Sequence, residues 1–295
     1  MDEKDWLAER FEGERGHLRA VAYRMLGSLS DAEDAVQESW LRLSRNGADE
    51  IDNLAGWLTT VVARVCLDML RSRQSRREDP LEHPAAEEPA AARGPGVDPE
   101  AEAQMADSVG LALLVVLDRL SPAERLAFVL HDLFDVAFEE IASITGRSPE
   151  AARQLASRAR RRVQGVKTPP ATGLAEQRSL VERFLTALRL GDPAAVVTLL
   201  APDFTVRADA AATPPNMPTD LHGAEAWAKE AVKAARGARF ARPALLDGMV
   251  GVVVAPRGRL FRVLRFTFAE GKIAELQVVG ERASLQALDV AILSD

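Results

Sequence analysis

The sequence is poor in the residues that build disulfides and metal sites. Its 295 residues include a single cysteine, Cys66, and four histidines. One thiol excludes an internal disulfide, and the histidines show no metal-ligand spacing, so we expect neither a zinc site nor a cofactor. No apolar run reaches the roughly 18 residues of a membrane span, and the polar start, MDEKDWLAER, is unlike a signal peptide. These absences predict a cytoplasmic protein with no membrane partner.

Positive charge is also in deficit, because 37 Lys and Arg stand against 44 Asp and Glu and leave a net charge of −7. That balance argues against nucleic-acid binding, but the charge is segregated along the chain. Residues 57–77 and 148–167 are basic. Between them, residues 78–107 hold nine acidic residues and only Arg93 as a cation. The net charge of the whole chain therefore conceals two basic segments that are candidates for nucleic-acid binding.

Hydrophobic periodicity divides the chain into five segments. Residues 1–77 and 108–167 repeat apolar side chains at helical spacing. Residues 78–107 are rich in Pro and Ala and lack the apolar bulk to fold alone, which predicts an acidic flexible linker. Residues 168–175 form a Pro-rich hinge, and residues 176–295 combine two helices with strand-like runs, which predicts an α+β domain. The strand-like runs are residues 204–207, 249–254, 260–268 and 273–279, with a hairpin turn at 269–272.

Three short sequences have the form of a helix start. Ser30-Asp31-Ala32-Glu33 and Ser121-Pro122-Ala123-Glu124 match a capping box, in which a hydroxyl and a carboxylate three residues later satisfy free backbone N–H groups. Ser148-Pro149-Glu150 combines a capping hydroxyl with Pro at the first helical position. This third helix start follows a short apolar helix and the turn Thr145-Gly146-Arg147. Residues 137–164 are therefore predicted to form a helix-turn-helix.

The second helix of this motif has two different sides on a wheel of about 100° per residue. Its apolar side consists of Ala152, Leu155, Ala156, Ala159 and Val163. Its opposite side consists of Glu150, Gln154, Ser157 and Arg161, flanked by Arg153, Arg158 and Arg160. Such a helix can enter a major groove, where Arg reads guanine, Gln reads adenine and outer Arg residues neutralise phosphates. The alternative is a solvated amphipathic helix with a basic face.

Three segments resemble the extracytoplasmic-function sigma factors. RGHLRAVAYRMLGSLSDAEDAVQESWLRL (15–43) and NLAGWLTTVVARVCLDMLRSR (53–73) are similar to region 2 of that family. LDRLSPAERLAFVLHDLFDVAFEEIASITGRSPEAARQLASRARRRV (117–163) is similar to region 4. The resemblance implies that region 2 binds RNA polymerase and melts the −10 promoter element, while region 4 binds the −35 element. The acidic segment then either threads the RNA path of the polymerase as a nucleic-acid mimic or is a plain tether.

The same resemblance implies three sets of functional residues. The polymerase-binding set is Asp34, Gln37, Glu38 and Trp40. The −10-reading set is Arg64, Asp68, Arg71 and Arg73; taken alone, this stretch is equally a solvated basic helix end. The −35-reading set is Ser148, Glu150, Arg153, Gln154, Ser157, Arg158 and Arg161.

Residues 176–288 resemble the SnoaL-like cone that is fused to one subgroup of these sigma factors, which implies a built-in regulator in contact with the sigma domains. The most similar stretch is RSLVERFLTALRLGDPAAVVTLLAPDFTVRADA. Enzymes with this cone use pocket carboxylates for proton transfer, so Arg207, Asp209 and His222 are candidate pocket residues, with a structural role as the alternative. The usual motifs of the subgroup are altered in residues 79–84, 209–213 and 280–285.

The sequence therefore predicts a multidomain promoter-specificity factor that is not an enzyme. Two all-α sigma domains, the second a helix-turn-helix, are joined by the acidic linker and followed by the α+β SnoaL-like cone. The expected partners are core RNA polymerase and promoter DNA. Two other classes stay open: a ligand-sensing repressor, which has no use for the DAEDAVQESW helix, and a cyclase or isomerase, which needs Asp209 opposite a second titratable group.

Overall fold

The computed structural model describes residues 3–46, 51–78, 110–165, 173–213, 219–233 and 235–293. The predicted acidic linker, apart from Glu78 at the end of a helix, and most of the predicted hinge lie outside these residues. Backbone contacts divide the chain into two compact units, Met1–Glu102 with Leu117–Arg160 and Ala103–Val116 with Arg161–Asp295. None of the helices in the described ranges combines the length and the apolar content that a membrane crossing requires.

The first unit begins with three helices whose apolar stripes face one another. They are α1 (Glu3–Leu26), α2 (Leu29–Asn46) and α3 (Leu54–Glu78). The side chain of Asn53 caps α3 by accepting a hydrogen bond from the N–H of Gly56 at 3.1 Å. The predicted helical spacing is confirmed, because its apolar positions are buried; they include Leu18, Val21, Met25, Val36, Leu43, Leu58 and Val62.

The start of α2 differs from the capping box that the sequence predicts at Ser30. Ser28 caps the helix instead, since its hydroxyl accepts a hydrogen bond from the N–H of Asp31 at 3.4 Å. Ser30 lies inside the helix. The predicted cap is therefore wrong by two residues. The physical reason is Gly27, whose φ of 72° ends α1 in a left-handed turn and leaves the next serine at the cap.

Residues 111–164 form five helical segments. They are α4 (Leu111–Asp118), α5 (Pro122–Phe128), a π-helix (Val129–Leu133), α6 (Phe138–Thr145) and α7 (Pro149–Gln164). The capping box at Ser121 is confirmed, because its hydroxyl accepts from the N–H of Glu124 while the Glu124 carboxylate accepts from the N–H of Ser121. Since α6 ends at Gly146 with a φ of 68° and α7 follows, the predicted helix-turn-helix is confirmed.

The π-helix is a local irregularity that the hydrophobic pattern does not reveal. It is followed by Asp135, whose φ of 54° is unusual for a residue with a Cβ. The carbonyl of Leu130 accepts a hydrogen bond from the N–H of Val136 at 2.9 Å, which closes the turn. This turn directs Phe134 towards α1, where its ring centroid lies 5.2 Å from that of His17.

Beyond residue 172, the described part of the second unit contains four α-helices and seven strands. The helices are α8 (Leu174–Leu190), α9 (Pro193–Leu199), α10 (Ala224–Lys233) and α11 (Arg282–Ala287). The strands are β1 (Leu200–Ala208), β2 (Asp220–His222), β3 (Ala241–Leu246), β4 (Met249–Val254), β5 (Arg262–Ala269), β6 (Lys272–Val279) and β7 (Val290–Ala291). They form one sheet in the order β2-β1-β6-β5-β4-β3-β7, in which β1 and β6 are parallel and the other pairs are antiparallel.

Aromatic side chains occupy the centre of the core of this domain. Phe184 of α8 stacks on Trp227 of α10, with ring centroids 5.7 Å apart. From the sheet, Phe204 lies 5.3 Å from Trp227 and Phe266 lies 5.6 Å from Phe184. The predicted α+β architecture is confirmed, as is the hairpin between β5 and β6. The sequence missed β2, β3, β7, α10 and α11, because short or Ala-rich segments carry little periodicity.

Candidate nucleic-acid interface

The recognition helix α7 is held in place through its apolar side. All five residues that the sequence assigns to that side are buried: Ala152, Leu155, Ala156, Ala159 and Val163. At its N-terminus, the hydroxyl of Ser148 accepts a hydrogen bond from the N–H of Ala151 at 3.2 Å. Ser148 is thus a capping residue, and its position fixes where the helix begins.

The opposite side of α7 is a polar stripe. Glu150, Gln154, Ser157 and Arg161 are all exposed, and their spacing of four, three and four residues keeps them within one narrow arc of the helix. Hydrogen bonds from its own backbone N–H and with Ser148 lower the pKa of the Glu150 carboxyl, so this side chain is a carboxylate at neutral pH. The stripe therefore offers an acceptor, an amide, a hydroxyl and a guanidinium in a row.

The arginines that flank the stripe are engaged by acidic residues of other helical segments. Arg153 Nη2 lies 3.3 Å from Glu139 Oε1, and its guanidinium lies 5.4 Å from the ring centroid of Phe138. Arg160, another of the flanking arginines, forms an ion pair with Asp132 of the π-helix. These contacts fix the rotation of α7 against α6 and the π-helix.

Arg158 is held by the most buried of these acids. Its Nε lies 3.2 Å from Oε1 of Glu124, a side chain that is only 8% exposed. The other carboxylate oxygen of Glu124 accepts from the backbone N–H and the hydroxyl of Ser121, at 3.2 and 2.8 Å. One carboxylate thus joins the capping box of α5 to the recognition helix, which makes Arg158 a positioning residue in this structure. Sequence spacing places Arg158 beside the stripe but cannot show this partner.

The −10-reading set is divided by the structure. Arg64, Asp68 and Arg71 are exposed on α3, with Arg71 Nη1 4.0 Å from Asp68 Oδ1. Arg73 points elsewhere: its Nη2 lies 2.6 Å from Asp31 Oδ1, and its side chain is 22% exposed. Three of the four predicted residues therefore share one surface, while Arg73 ties α3 to α2.

The polymerase-binding set on α2 is also divided. Asp34 and Gln37 are exposed, and Glu38 pairs with Arg42 at 2.9 Å. Trp40 packs against Phe11 with ring centroids 5.1 Å apart, so part of its ring supports α1.

Sequence reasoning missed Leu41, which lies next to this polymerase-binding set. Its side chain is 39% exposed, and its distance of seven residues from Asp34 and four from Gln37 places all three on one helical face. The signal was an apolar residue at an outward position of an amphipathic helix.

In the second unit, a cleft of about 590 Å³ includes Arg207 and Asp209 in its lining. Arg207 Nη1 lies 3.3 Å from Glu275 Oε1. His222 is exposed on β2 and is absent from the lining that the described residues provide. The three candidate pocket residues are therefore not assembled into one site.

The carboxylate of Asp209 is occupied by backbone N–H groups. Oδ1 accepts from Ala212 at 2.7 Å, and Oδ2 accepts from Gly280 and Glu281, both at 2.8 Å. Two of the segments in which the usual subgroup motifs are altered, residues 209–213 and 280–285, thus contact each other through this side chain. Three N–H donors stabilise the carboxylate as a structural group, whereas the cyclase hypothesis requires it to face a second titratable side chain.

Known proteins are similar to this chain over most of its length. Residues 11–76 match the family described as Sigma-70 region 2, and residues 110–163 match Sigma-70, region 4. The ECF RNA polymerase sigma factor SigJ of Mycobacterium tuberculosis is 42% identical over 219 residues, which cover 73% of this chain and 69% of SigJ. The probable ECF RNA polymerase sigma factor SigI of the same species is 37% identical over 210 residues, which cover 71% and 72%. A crystal structure of SigJ aligns with 94% of this chain and 98% of that chain, at 31% identity and a TM-score of 0.44.

Proposed function

The chain belongs to the extracytoplasmic-function RNA polymerase sigma factors, and from this premise we propose that it directs core RNA polymerase to −10 and −35 promoter elements and initiates transcription there. In this proposal it acts in the cytoplasm as an initiation factor and not as an enzyme. The observation that carries the proposal is the exposed stripe on α7, whose opposite side is fixed in the helix-turn-helix. Sequence-specific readout requires such a stripe, because polar side chains must reach base edges while the helix stays rigid.

Three members of the stripe each have a base that they are suited to read. Arg161 forms a bidentate pair with guanine, and Gln154 forms one with the N6 and N7 groups of adenine. Glu150, as a carboxylate, accepts from the N4 amino group of cytosine. Arg153 and Arg158 are held by acids of their own domain, so they position the helix and contribute positive charge near the phosphates.

Region 2 supplies the other two contacts of the proposal. Arg64, Asp68 and Arg71 form the surface that meets the −10 element. Asp34, Gln37 and Leu41 form the surface that meets the polymerase, since they combine exposed polar groups with an exposed apolar side chain. A ligand-sensing repressor has no use for this second surface.

Capture of core RNA polymerase tests the proposal against the repressor alternative. We expect the full chain to bind core polymerase and to support promoter-dependent transcription in vitro. The variant Asp34→Lys is expected to lose polymerase binding, because it reverses a charge on the proposed contact surface. Glu9→Lys reverses a charge on the exposed side of α1 and should bind as the parent does. A chain that regulates a promoter without binding core polymerase would favour the repressor.

The proposal includes regulation by the C-terminal domain in contact with the sigma domains. It is supported by a hydrogen bond within the second unit, in which the N–H of Ile292 donates to the carbonyl of Val163 at 3.1 Å. Val163 belongs to the last turn of α7, so this hydrogen bond supports an influence of the C-terminal segment on that helix. Transcription by the full chain and by a chain that ends at Thr168 tests this part. Equal promoter binding and equal transcript yield from the two would exclude regulation.

A further inference from the structure

The recognition helix α7 is strongly basic, but acids of neighbouring segments cancel most of its charge. Five arginines and one glutamate give the helix a charge of +4. Three carboxylates from outside the helix pair with three of these arginines, and each comes from a different segment: Glu124 of α5, Asp132 of the π-helix and Glu139 of α6. All three pairs lie within the first unit. The helix therefore presents much less positive charge than its own sequence carries.

The paired arginines lie on the two flanks of the polar stripe. On a wheel of about 100° per residue, Arg158 lies on one flank, and Arg153 and Arg160 lie on the other. When a recognition helix enters a major groove with its stripe towards the base edges, its flanks face the two phosphate backbones. Arg161 lies within the stripe and makes no ion pair with a described residue. The acids thus pair with the arginines that are placed to meet phosphates, and not with the one that is placed to meet bases.

The three paired guanidinium groups stay open to solvent. The side chains of Arg153, Arg158 and Arg160 are 51%, 49% and 40% exposed. A pair that is exposed on both sides, such as that of Arg153 with Glu139, contributes little to stability. An arginine that meets a phosphate releases a counter-ion from DNA and strengthens binding. Each acid therefore occupies a guanidinium group that a phosphate could otherwise bind.

Each acid is fixed by its own segment. Glu124 is held by the hydroxyl and the N–H of Ser121. Asp132 is 19% exposed, and its Oδ2 is buried with no hydrogen-bond partner among the described residues, so Arg160 is its countercharge. Glu139 lies in the first turn of α6, where the helix dipole stabilises negative charge. The three carboxylates are thus in place beside α7 in the free chain.

We propose that Glu124, Asp132 and Glu139 are built-in counter-ions that lower the affinity of α7 for DNA of any sequence. The inference rests on the proposed −35 contact and adds to it a limit on phosphate binding. Because phosphate contacts carry no sequence information, the base contacts of the stripe then supply a larger share of the binding free energy. A free chain that binds arbitrary DNA weakly stays available to core polymerase.

The same three pairs also hold α7 against its neighbours, and the two roles predict opposite results. If the acids only position the helix, their removal loosens it and weakens DNA binding. If they are counter-ions, their removal frees arginines and strengthens binding to every duplex. The slope of log Kd against log salt separates the roles further, because each additional phosphate contact steepens it by about 0.9. A loosened helix gains no such contact.

Three substitutions remove one negative charge each and keep the size of the side chain. They are Asp132→Asn, Glu124→Gln and Glu139→Gln. Glutamine also closes a capping box, so Glu124→Gln preserves the start of α5. Glu140→Gln is the matched control, because Glu140 is exposed in the same turn of α6 as Glu139 and makes no ion pair with a described residue.

Fluorescence anisotropy of a labelled DNA duplex of arbitrary sequence measures binding by the full-length chain, at salt concentrations from about 50 to 200 mM. All three variants should bind more tightly than the parent at the lowest salt. For Asp132→Asn and Glu124→Gln, the ratio of Kd at the highest salt to Kd at the lowest should rise about three- to fourfold. The rise should be smaller for Glu139→Gln, because Arg153 keeps a second acid, Glu150, at 3.8 Å. Glu140→Gln should bind as the parent does.

The outcomes separate this inference from the proposed function. Equal or weaker duplex binding by the variants, with the salt slope of the parent, would overturn it and leave the acids a positioning role alone. Absence of duplex binding by the parent and all variants at the lowest salt would overturn it too. Thermal unfolding shows whether each variant folds, and if Asp132→Asn does not, the exposed pair of Glu139 decides. A chain that failed to bind core polymerase would refute the proposed function, while the salt slopes would still decide the counter-ions.

Discussion

Replacement of Gln154 by alanine tests the readout by α7 most directly. The side chain is exposed in the middle of the polar stripe, so its removal leaves the packing of the helix-turn-helix unchanged. Alanine also has a helix propensity at least as favourable as that of glutamine. Any loss of promoter affinity is therefore a loss of contacts with DNA.

The magnitude follows from the contact that the amide can make. A bidentate pair between Gln and adenine contributes about 1–3 kcal/mol of discrimination against a wrong base pair. This free energy corresponds to about a 5- to 140-fold change in Kd. Since the pair serves one base position, the effect should be confined to one position of the −35 element.

The assay is binding of reconstituted holoenzyme to a promoter that the parent protein transcribes. Each base pair of the −35 element is replaced in turn, and Kd is measured at constant salt because phosphate contacts depend strongly on salt. For the parent, replacement of the adenine read by Gln154 should raise Kd by about 5- to 140-fold. For Gln154→Ala, the same replacement should change Kd by less than about twofold.

Gln164→Ala is the matched control, because Gln164 is an exposed glutamine at the last position of the same helix. It should keep the base preferences of the parent. If Gln154→Ala kept the parent's preference at every position, the stripe would not face the bases, and the assignment of the reading side of α7 would be refuted.

Three further predictions concern side chains that are buried or hydrogen-bonded within one of the two units. Glu124→Ala should lower the free energy of unfolding by about 2 kcal/mol, because it removes half of a capping box and the ion pair with Arg158. Arg158→Ala should lower it by at most about 1 kcal/mol, because only the ion pair is lost. Equal losses for the two variants in thermal unfolding would contradict this order. Asp209→Ala should destabilise the C-terminal domain by about 2 kcal/mol and Asp209→Asn by less, since the amide oxygen still accepts; unchanged melting of both variants would contradict the three hydrogen bonds. Burial raises the pKa of the Cys66 thiol to about 12 from an ordinary value of 9.0, so a thiol reagent at pH 8 should modify one group in urea and none in the native protein. Because the folded pKa is the higher one, this thiol's contribution to stability is complete below pH 9 and declines as the pH rises towards 12, and rapid native modification would show that the site opens.

Local features of the recognition helix could be predicted from the sequence. The cap at Ser148, the glycine turn at Gly146 and the separation of α7 into two sides depend on residues within one or two helical turns. The capping box at Ser121 is local in the same way. The cap of α2 shows the limit of this reasoning: Ser28 and Ser30 have the same chemistry, and the left-handed conformation of Gly27 selects the first.

The sequence by itself determined the order of the helical regions, the exposed polar side of α7 and the α+β character of the C-terminal half, because hydrophobic periodicity and helix caps are local. Only the tertiary structure decided which charged residues are available for DNA. Arg158 and Arg73 are joined to Glu124 and Asp31, 34 and 42 residues away in the chain, and no periodicity identifies such pairs. Arg125 shows most clearly that periodicity does not identify the surroundings of a charged residue. A basic residue on a short amphipathic helix is expected to be exposed, yet packing between two regions buries its charge.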